Sequence, residues 1–161
     1  MSFQVDLRGL QDTESLAHYI ASIVRVGDVV LLKGNLGSGK TAFTRFFVGS
    51  LVDDAHVSSP TFSLVNVYEG NQCEIWHYDL YRVRRREELY ELGIDDALSS
   101  AITVIEWPEL IEESISNDGV IVSLQSSGES DIRTANVTLL GRFSERAEEI
   151  RSFIKGLNDS R

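Results

Sequence analysis

Residues 29 to 47 read Val-Val-Leu-Leu-Lys-Gly-Asn-Leu-Gly-Ser-Gly-Lys-Thr-Ala-Phe-Thr-Arg-Phe-Phe. Within them Gly34, Gly39, Lys40 and Thr41 satisfy the pattern Gly, four residues, Gly-Lys-Ser/Thr that marks a phosphate-binding loop. A chance match in a chain of this length is on the order of half a per cent, so the pattern constrains the fold. The apolar run Val29 to Leu32 is expected to be a strand that delivers the chain to a loop whose glycines can adopt positive φ. Successive backbone N–H groups can then turn inward around a phosphate. A helix opening at Lys40 would add its unpaired N–H groups and the positive end of its dipole. Lys40 is expected to reach the β- and γ-phosphates, and the Thr41 hydroxyl to take one position on Mg²⁺. Asn35, Leu36, Gly37, Ser38 and Ala42 complete the predicted nucleotide-binding set. Gly37, Gly39 and Ala42 also fit the looser dinucleotide fingerprint, but that fingerprint does not call for Lys-Thr, so a nucleoside triphosphate is the better ligand.

A length of 161 residues predicts one domain, large enough for a real core. Hydrophobic content of 42% and charged content of 25% are ordinary for a globular protein. The longest apolar runs are too short to cross a membrane, and the N-terminus has no basic stretch followed by an apolar one, so a cytoplasmic protein is expected. Cys73 is the single cysteine, which excludes an internal disulfide and a thiolate zinc cluster, and His18, His56 and His77 are scattered. The net charge of −10 argues against gripping nucleic acid directly, because that needs a basic face. Any role in a nucleic-acid pathway is expected to run through another protein.

Phe3, Val5 and Leu7 alternate with polar residues and predict a first strand. Asp12 is a candidate N-cap for a helix from about Thr13 to Arg25, and Gly27-Asp28 turns the chain into the loop strand. The helix after the loop should run to about Leu51. Pro60 and the serines around it mark a loop, followed by a strand from Phe62 to Tyr68 and its hairpin partner from Glu74 to Tyr78. Arg84 to Leu92 reads as a helix ending at Gly93, with a second helical piece from Ile94 to Leu98. Ala101-Ile102-Thr103-Val104-Ile105 has the composition of a strand buried on both faces of a parallel sheet. Val120 to Leu124 and Asn136 to Leu140 predict an edge hairpin, and Phe143 to Leu157 a closing helix. The expected fold is α/β, a three-layer phosphate-loop domain over residues 1 to 161, with a mostly parallel central sheet and an antiparallel edge.

Hydrolysis would also require acidic groups near Mg²⁺ and the attacking water. Asp79 and Glu106 each end a predicted strand; Glu106 has the more buried strand before it, and Asp79 the shorter side chain usual for a metal ligand. Both remain candidates for catalysis and for metal. Thr61, in Ser59-Pro60-Thr61, sits where a nucleotide-sensing switch would follow the loop helix, although an ordinary Ser/Thr turn reads the same. Trp107 reads on pattern as a core residue. Arg82-Val83-Arg84-Arg85-Arg86 is the one basic cluster, either a contact to an acidic partner surface or a tRNA backbone, or a helix start whose arginines pair with Glu87, Glu88 and Glu91.

Taken in order, Gly-Asn-Leu-Gly-Ser-Gly-Lys-Thr (34 to 41), Ser-Pro-Thr-Phe-Ser-Leu-Val (59 to 65), His-Tyr-Asp-Leu-Tyr-Arg (77 to 82), Glu-Leu-Gly-Ile-Asp-Asp (91 to 96) and Ile-Glu-Trp-Pro (105 to 108) closely resemble the TsaE (YjeE-type) ATPases of bacterial tRNA threonylcarbamoyladenosine biosynthesis. The likeness covers most of the chain. It implies an ATP- and Mg²⁺-dependent ATPase, slow alone, that resets a complex of two partner proteins without itself transferring the group. These are the subunit that transfers threonylcarbamoyl to adenosine 37 of tRNA and its companion protein. By the same likeness Lys40 holds the phosphates and Thr41 ligates Mg²⁺. Glu106 lies in the Mg²⁺ shell or at the water, and Asp79 is the second acid. Ser59 to Thr61 form the switch, Trp107 lies beside the site, and Arg133 reaches toward the nucleotide.

A small-molecule kinase would need a lid that this sequence does not display. A GTPase would need Asn-Lys-x-Asp, which is absent, and its Asp-x-x-Gly after the switch; here the sole match, Asp6 to Gly9, precedes the loop. A nucleotide-dependent interaction module without hydrolysis is the third alternative.

Overall fold

The computed structural model describes residues 1–53, 57, 60, 63–126 and 131–159. Seven strands form one sheet: β1 (Ser2–Arg8), β2 (Val29–Lys33), β3 (Val65–Glu69), β4 (Glu74–Asp79), β5 (Ile102–Glu106), β6 (Gly119–Ser126) and β7 (Ile132–Leu140). Their order is β1-β7-β6-β2-β5-β4-β3. The middle four, β6, β2, β5 and β4, run parallel to one another, while β3 on one side and β7 and β1 on the other pair antiparallel. A mostly parallel core with antiparallel flanks is therefore the observed arrangement.

Among the described residues five α-helices cover the sheet: α1 (Gly9–Ile23), α2 (Lys40–Leu51), α3 (Arg86–Glu91), α4 (Ile94–Ser100) and α5 (Ala147–Asp159). The alternation of β2 assigns them to two layers. Val30 and Leu32 pack with Leu16, Ile20, Phe43, Phe47 and Ile154 of α1, α2 and α5. Val29 and Leu31 point the other way, against Leu89, Ile94 and Ala97 of α3 and α4. Every residue of β5 is buried, as its unbroken apolar run requires of a strand covered on both faces. Removing a ring as deep as Phe43 or Phe47 costs about 3–5 kcal/mol.

Three expectations are corrected. The β6–β7 hairpin is not at the edge: β6 pairs with β2 in the middle of the sheet, and β1 pairs along the whole of β7 and covers it. Alternation reveals a strand's two faces but says nothing about which neighbour arrives from 130 residues away. Asp12 does not begin a helix. Gly9 takes φ of 70°, ends β1 sharply and opens α1 four residues earlier than the Thr13 start predicted, while the Asp12 carboxylate reaches back to accept the Arg8 N–H at 2.8 Å. The closing helix is also shorter, because residues Gly141–Arg146 form a 3₁₀ segment that buries Phe143 before α5 begins. Gly93 behaves as expected: φ of 74° ends α3 in the left-handed region.

Helices α1 and α5 lock together through Tyr19, whose ring stacks on Phe153 at 4.0 Å and whose hydroxyl donates to Glu149 at 3.0 Å. Burial, and then the Glu149 hydrogen bond, push the Tyr19 phenol up to about 12 from 10.0. The folded chain thus holds this proton more tightly than the unfolded one, so the contribution is intact below pH 10 and lost as pH rises toward 12. Urea midpoints measured at pH 9 and pH 11.5 should fall further for the natural protein than for Tyr19→Phe. Equal falls would remove Tyr19 from the alkaline sensitivity.

Candidate functional site

The parallel register builds the site. Asp79 lies opposite Glu106, and Glu106 opposite Leu32, so the C-terminal ends of β4, β5 and β2 reach one level. Two further hydrogen bonds tie the chain just beyond that level: Leu80 N–H donates to Glu106 C=O at 3.1 Å, and Trp107 N–H to Leu32 C=O at 3.2 Å. This is the sheet edge at which parallel α/β folds bind ligands. A cleft of about 450 Å³ opens there, lined on one side by Leu36, Gly37, Gly39, Lys40 and Thr41, and on the other by Asp79, Glu106 and Trp107.

The loop after β2 takes φ of 144°, 77° and 108° at Gly34, Gly37 and Gly39, the left-handed states in which backbone N–H groups can form an anion-binding concavity. Gly34 is obligatory on space as well: a Cβ there would lie 2.5 Å from both Leu124 C=O and Ser38 Oγ. Lys40 and Thr41 occupy the first turn of α2, where the helix dipole adds positive potential. Ala42 follows in the same turn. The Lys40 ammonium folds back over the loop, donating to Gly34 C=O at 2.6 Å and Asn35 C=O at 2.9 Å, with Ser38 Oγ at 3.5 Å. Its Nζ also stands 4.2 Å from the centre of the Trp107 ring, a cation–π contact. Burial lowers the Lys40 pKa, and the nearby carboxylates of Glu106, Asp79 and Glu109 oppose that shift.

The two acids differ in setting. Asp79 is partly exposed and accepts the Tyr81 N–H at 3.1 Å; burial raises its pKa, and the Glu106 charge adds to the rise. Glu106 is buried, and its Oε2 lies 2.6 Å from Nε2 of an equally buried His77. Trp107 packs against the α3–α4 side of the core yet also faces the cleft, where Tyr81 meets its ring at 4.8 Å. Among the described residues the two non-glycines at positive φ are Leu64 (65°) and Trp107 (58°), and both line this cleft. Such strain of about 1–3 kcal/mol per residue persists where surrounding structure enforces it, commonly at ligand sites.

Arg133 reaches from β7 to the loop backbone, its Nε donating to Ser38 C=O at 2.8 Å and its Nη2 to Gly37 C=O at 3.2 Å. The structure thus brings together Gly34, Gly37, Ser38, Gly39, Lys40, Thr41, Asp79, Glu106, Trp107 and Arg133. Ser59 and Thr61 of the predicted switch lie outside the described residues. Among the described residues no ion pair joins Arg82, Arg84, Arg85 or Arg86 to a carboxylate: Arg82 lines the cleft, and Arg86 donates to Leu110 C=O at 3.1 Å. The pairing with Glu87, Glu88 and Glu91 is therefore not formed. His77, Tyr81 and Leu64 stand inside the motifs quoted above but have no role assigned from sequence. His77 was detectable, since it stands two residues before Asp79 in a strand and so shares its face. The donor types fit a nucleotide phosphate with a divalent cation: a glycine loop and ammonium for the first, a hydroxyl and two carboxylates for the second.

Fold and site together define an α/β protein built around a phosphate-binding loop at the C-terminal edge of a parallel sheet core. The chain belongs to the TsaE family: the family model described as threonylcarbamoyl adenosine biosynthesis protein TsaE matches residues 7–135. It is 38% identical over 124 residues to the tRNA threonylcarbamoyladenosine biosynthesis protein TsaE of Rickettsia conorii, covering 74% of this chain and 69% of that protein. It is 32% identical over 142 residues to the Bacillus subtilis protein of the same name, covering 87% and 88%. The crystal structure of YdiB from Bacillus subtilis superposes with a TM-score of 0.73 at 26% identity, over 94% of this chain and 95% of that one. Among the described residues no helix is long and apolar enough to cross a membrane.

Gly34→Ala should cost about 1–3 kcal/mol of stability, because the loop must deform to admit the Cβ. Urea denaturation checks this; unchanged stability would mean that the loop accommodates a side chain at position 34.

Proposed function

We propose that this chain is the ATP-binding and ATP-hydrolysing component of the machinery that makes threonylcarbamoyladenosine at adenosine 37 of tRNA. Family membership supports the pathway, since the matching relatives carry that biosynthetic role in their names. The observation that carries the chemistry is the meeting of Lys40, Thr41, Asp79 and Glu106 in one cleft at the ends of β2, β4 and β5.

In this reading the loop from Gly34 to Gly39 and the N-terminal turn of α2 hold the phosphates. Lys40 exchanges its loop carbonyls for phosphate oxygens, and Arg133 keeps the loop backbone in shape. Thr41, with Asp79 or Glu106, would hold Mg²⁺, which supplies charge neutralisation on the phosphates. The carboxylate not used for the metal orients water. Trp107 and Tyr81 form an apolar wall that keeps bulk water from that side of the cleft.

Hydrolysis serves to reset partner proteins between turnovers, not to move the threonylcarbamoyl group. The partners are the transferase subunit and its companion. An acidic chain of net charge −10 reaches tRNA through them and not by its own surface. The working compartment is the cytoplasm.

Steady-state ATP hydrolysis, measured alone and with the partner proteins, tests this directly. Little turnover alone and a clear rise with partners is expected, both abolished in Lys40→Ala. Brisk turnover indifferent to the partners would overturn the resetting role, and turnover unchanged in Lys40→Ala would overturn the site.

A further inference from the structure

Resting on the nucleotide reading above, we infer that His77 is a positioning residue that fixes the Glu106 carboxylate for its work in the cleft. The two side chains are 1% and 4% exposed, and Nε2 of His77 stands 2.6 Å from Oε2 of Glu106. A carboxylate this deep is stable as an anion only where a donor meets it. Among the described residues His77 is the single hydrogen-bonding partner of the Glu106 carboxylate, and it engages one oxygen alone. Oε1 is left for the cleft that Glu106 lines together with Lys40, Thr41 and Asp79.

The strands make this contact reproducible. Along β4, His77 sits between Ile75 and Asp79 on one face, and along β5, Glu106 follows Ile102 and Val104 on the same face. Since β4 and β5 pair with Asp79 opposite Glu106 and His77 opposite Val104, the imidazole is one pleat behind the carboxylates, on rigid backbone. A loop residue would not hold Glu106 to a fraction of an ångström; a central strand does.

The opposite ring nitrogen argues for function over filling. Among the described residues Nδ1 of His77, which is buried, has no hydrogen-bond partner. Buried polar atoms are nearly always satisfied, so a fold that needed only volume here would carry an apolar side chain. The orphaned nitrogen is tolerated because Nε2 is needed where it is. Outer partners that orient a functional side chain in this way are worth about 10- to 100-fold when removed.

The test compares the full-length natural protein with His77→Leu, His77→Asn, His77→Gln, Glu106→Gln and the double variant His77→Leu/Glu106→Gln. One readout is the affinity for a fluorescent ATP analogue in EDTA and in Mg²⁺. The other is single-turnover ATP hydrolysis with the partner proteins. His77→Leu, and His77→Asn, which is too short to reach Oε2, should bind the analogue in EDTA within about twofold of wild type. They should lose about 10- to 100-fold in the Mg²⁺ enhancement of affinity or in hydrolysis, whichever Glu106→Gln also loses. His77→Gln, which can still offer an N–H to Oε2, should recover most of that loss. The double variant should be no worse than Glu106→Gln alone.

Additive losses in the double variant would overturn the inference, as would a defect in EDTA binding as large as that in Mg²⁺. So would failure of Gln to recover function, or a Glu106→Gln variant equal to wild type in both readouts. If His77→Leu does not fold, His77→Asn takes its place in the cycle. Failure of the nucleotide reading looks different: Lys40→Ala would then bind the analogue as wild type does.

Discussion

The parallel pairing of β2, β5 and β4 is the constraint on which everything else rests. Because those three strands end at one level, a loop that can cradle phosphate, a buried glutamate and an aspartate face a single cleft. None of these groups alone specifies a nucleotide site. A one-residue slip between β4 and β5 would turn Asp79 and His77 to the other face, among the apolar side chains of α3 and α4. The fully buried β5, with helices on both sides, is what forbids that slip.

Electrostatics in the cleft follow from the same geometry. Lys40, Asp79 and Glu106 are brought out of bulk water together, so burial lowers the lysine pKa and raises that of the aspartate, while their mutual attraction works against both shifts. The ammonium is held by Gly34 and Asn35 carbonyls and by the face of Trp107, all neutral groups. Phosphate oxygens would be stronger partners than any of these, because their negative charge adds Coulomb attraction to each hydrogen bond from the ammonium. A lysine parked on weak partners beside two carboxylates is poised for an anionic ligand.

Much of this was legible in the residues. The glycine pattern located the loop, the apolar run 101–105 located the buried strand, and strand-ending acids named Asp79 and Glu106 before any neighbour was known. What was hidden is what depends on distant pairing. Strand β1 covers β7 through contacts 130 residues apart, which no local period encodes, so the β6–β7 hairpin read as an edge. Arg133 was a ligand contact by likeness; in the fold it lines the cleft and also holds the carbonyls of Gly37 and Ser38, an arrangement set by the meeting of β7 with the loop. His77 looked incidental because its partner sits 29 residues away on another strand.

If the loop from Gly34 to Thr41 is the phosphate site, Lys40 must leave its own carbonyls to serve it. A crystal structure of the full chain with Mg²⁺ and a non-hydrolysable ATP analogue tests this most directly. The expected result is phosphates inside the loop, the Lys40 ammonium moved from Gly34 and Asn35 onto phosphate oxygens, and the metal beside Thr41 with Asp79 or Glu106 facing it. An analogue bound elsewhere, with Lys40 still on its loop carbonyls, would contradict it.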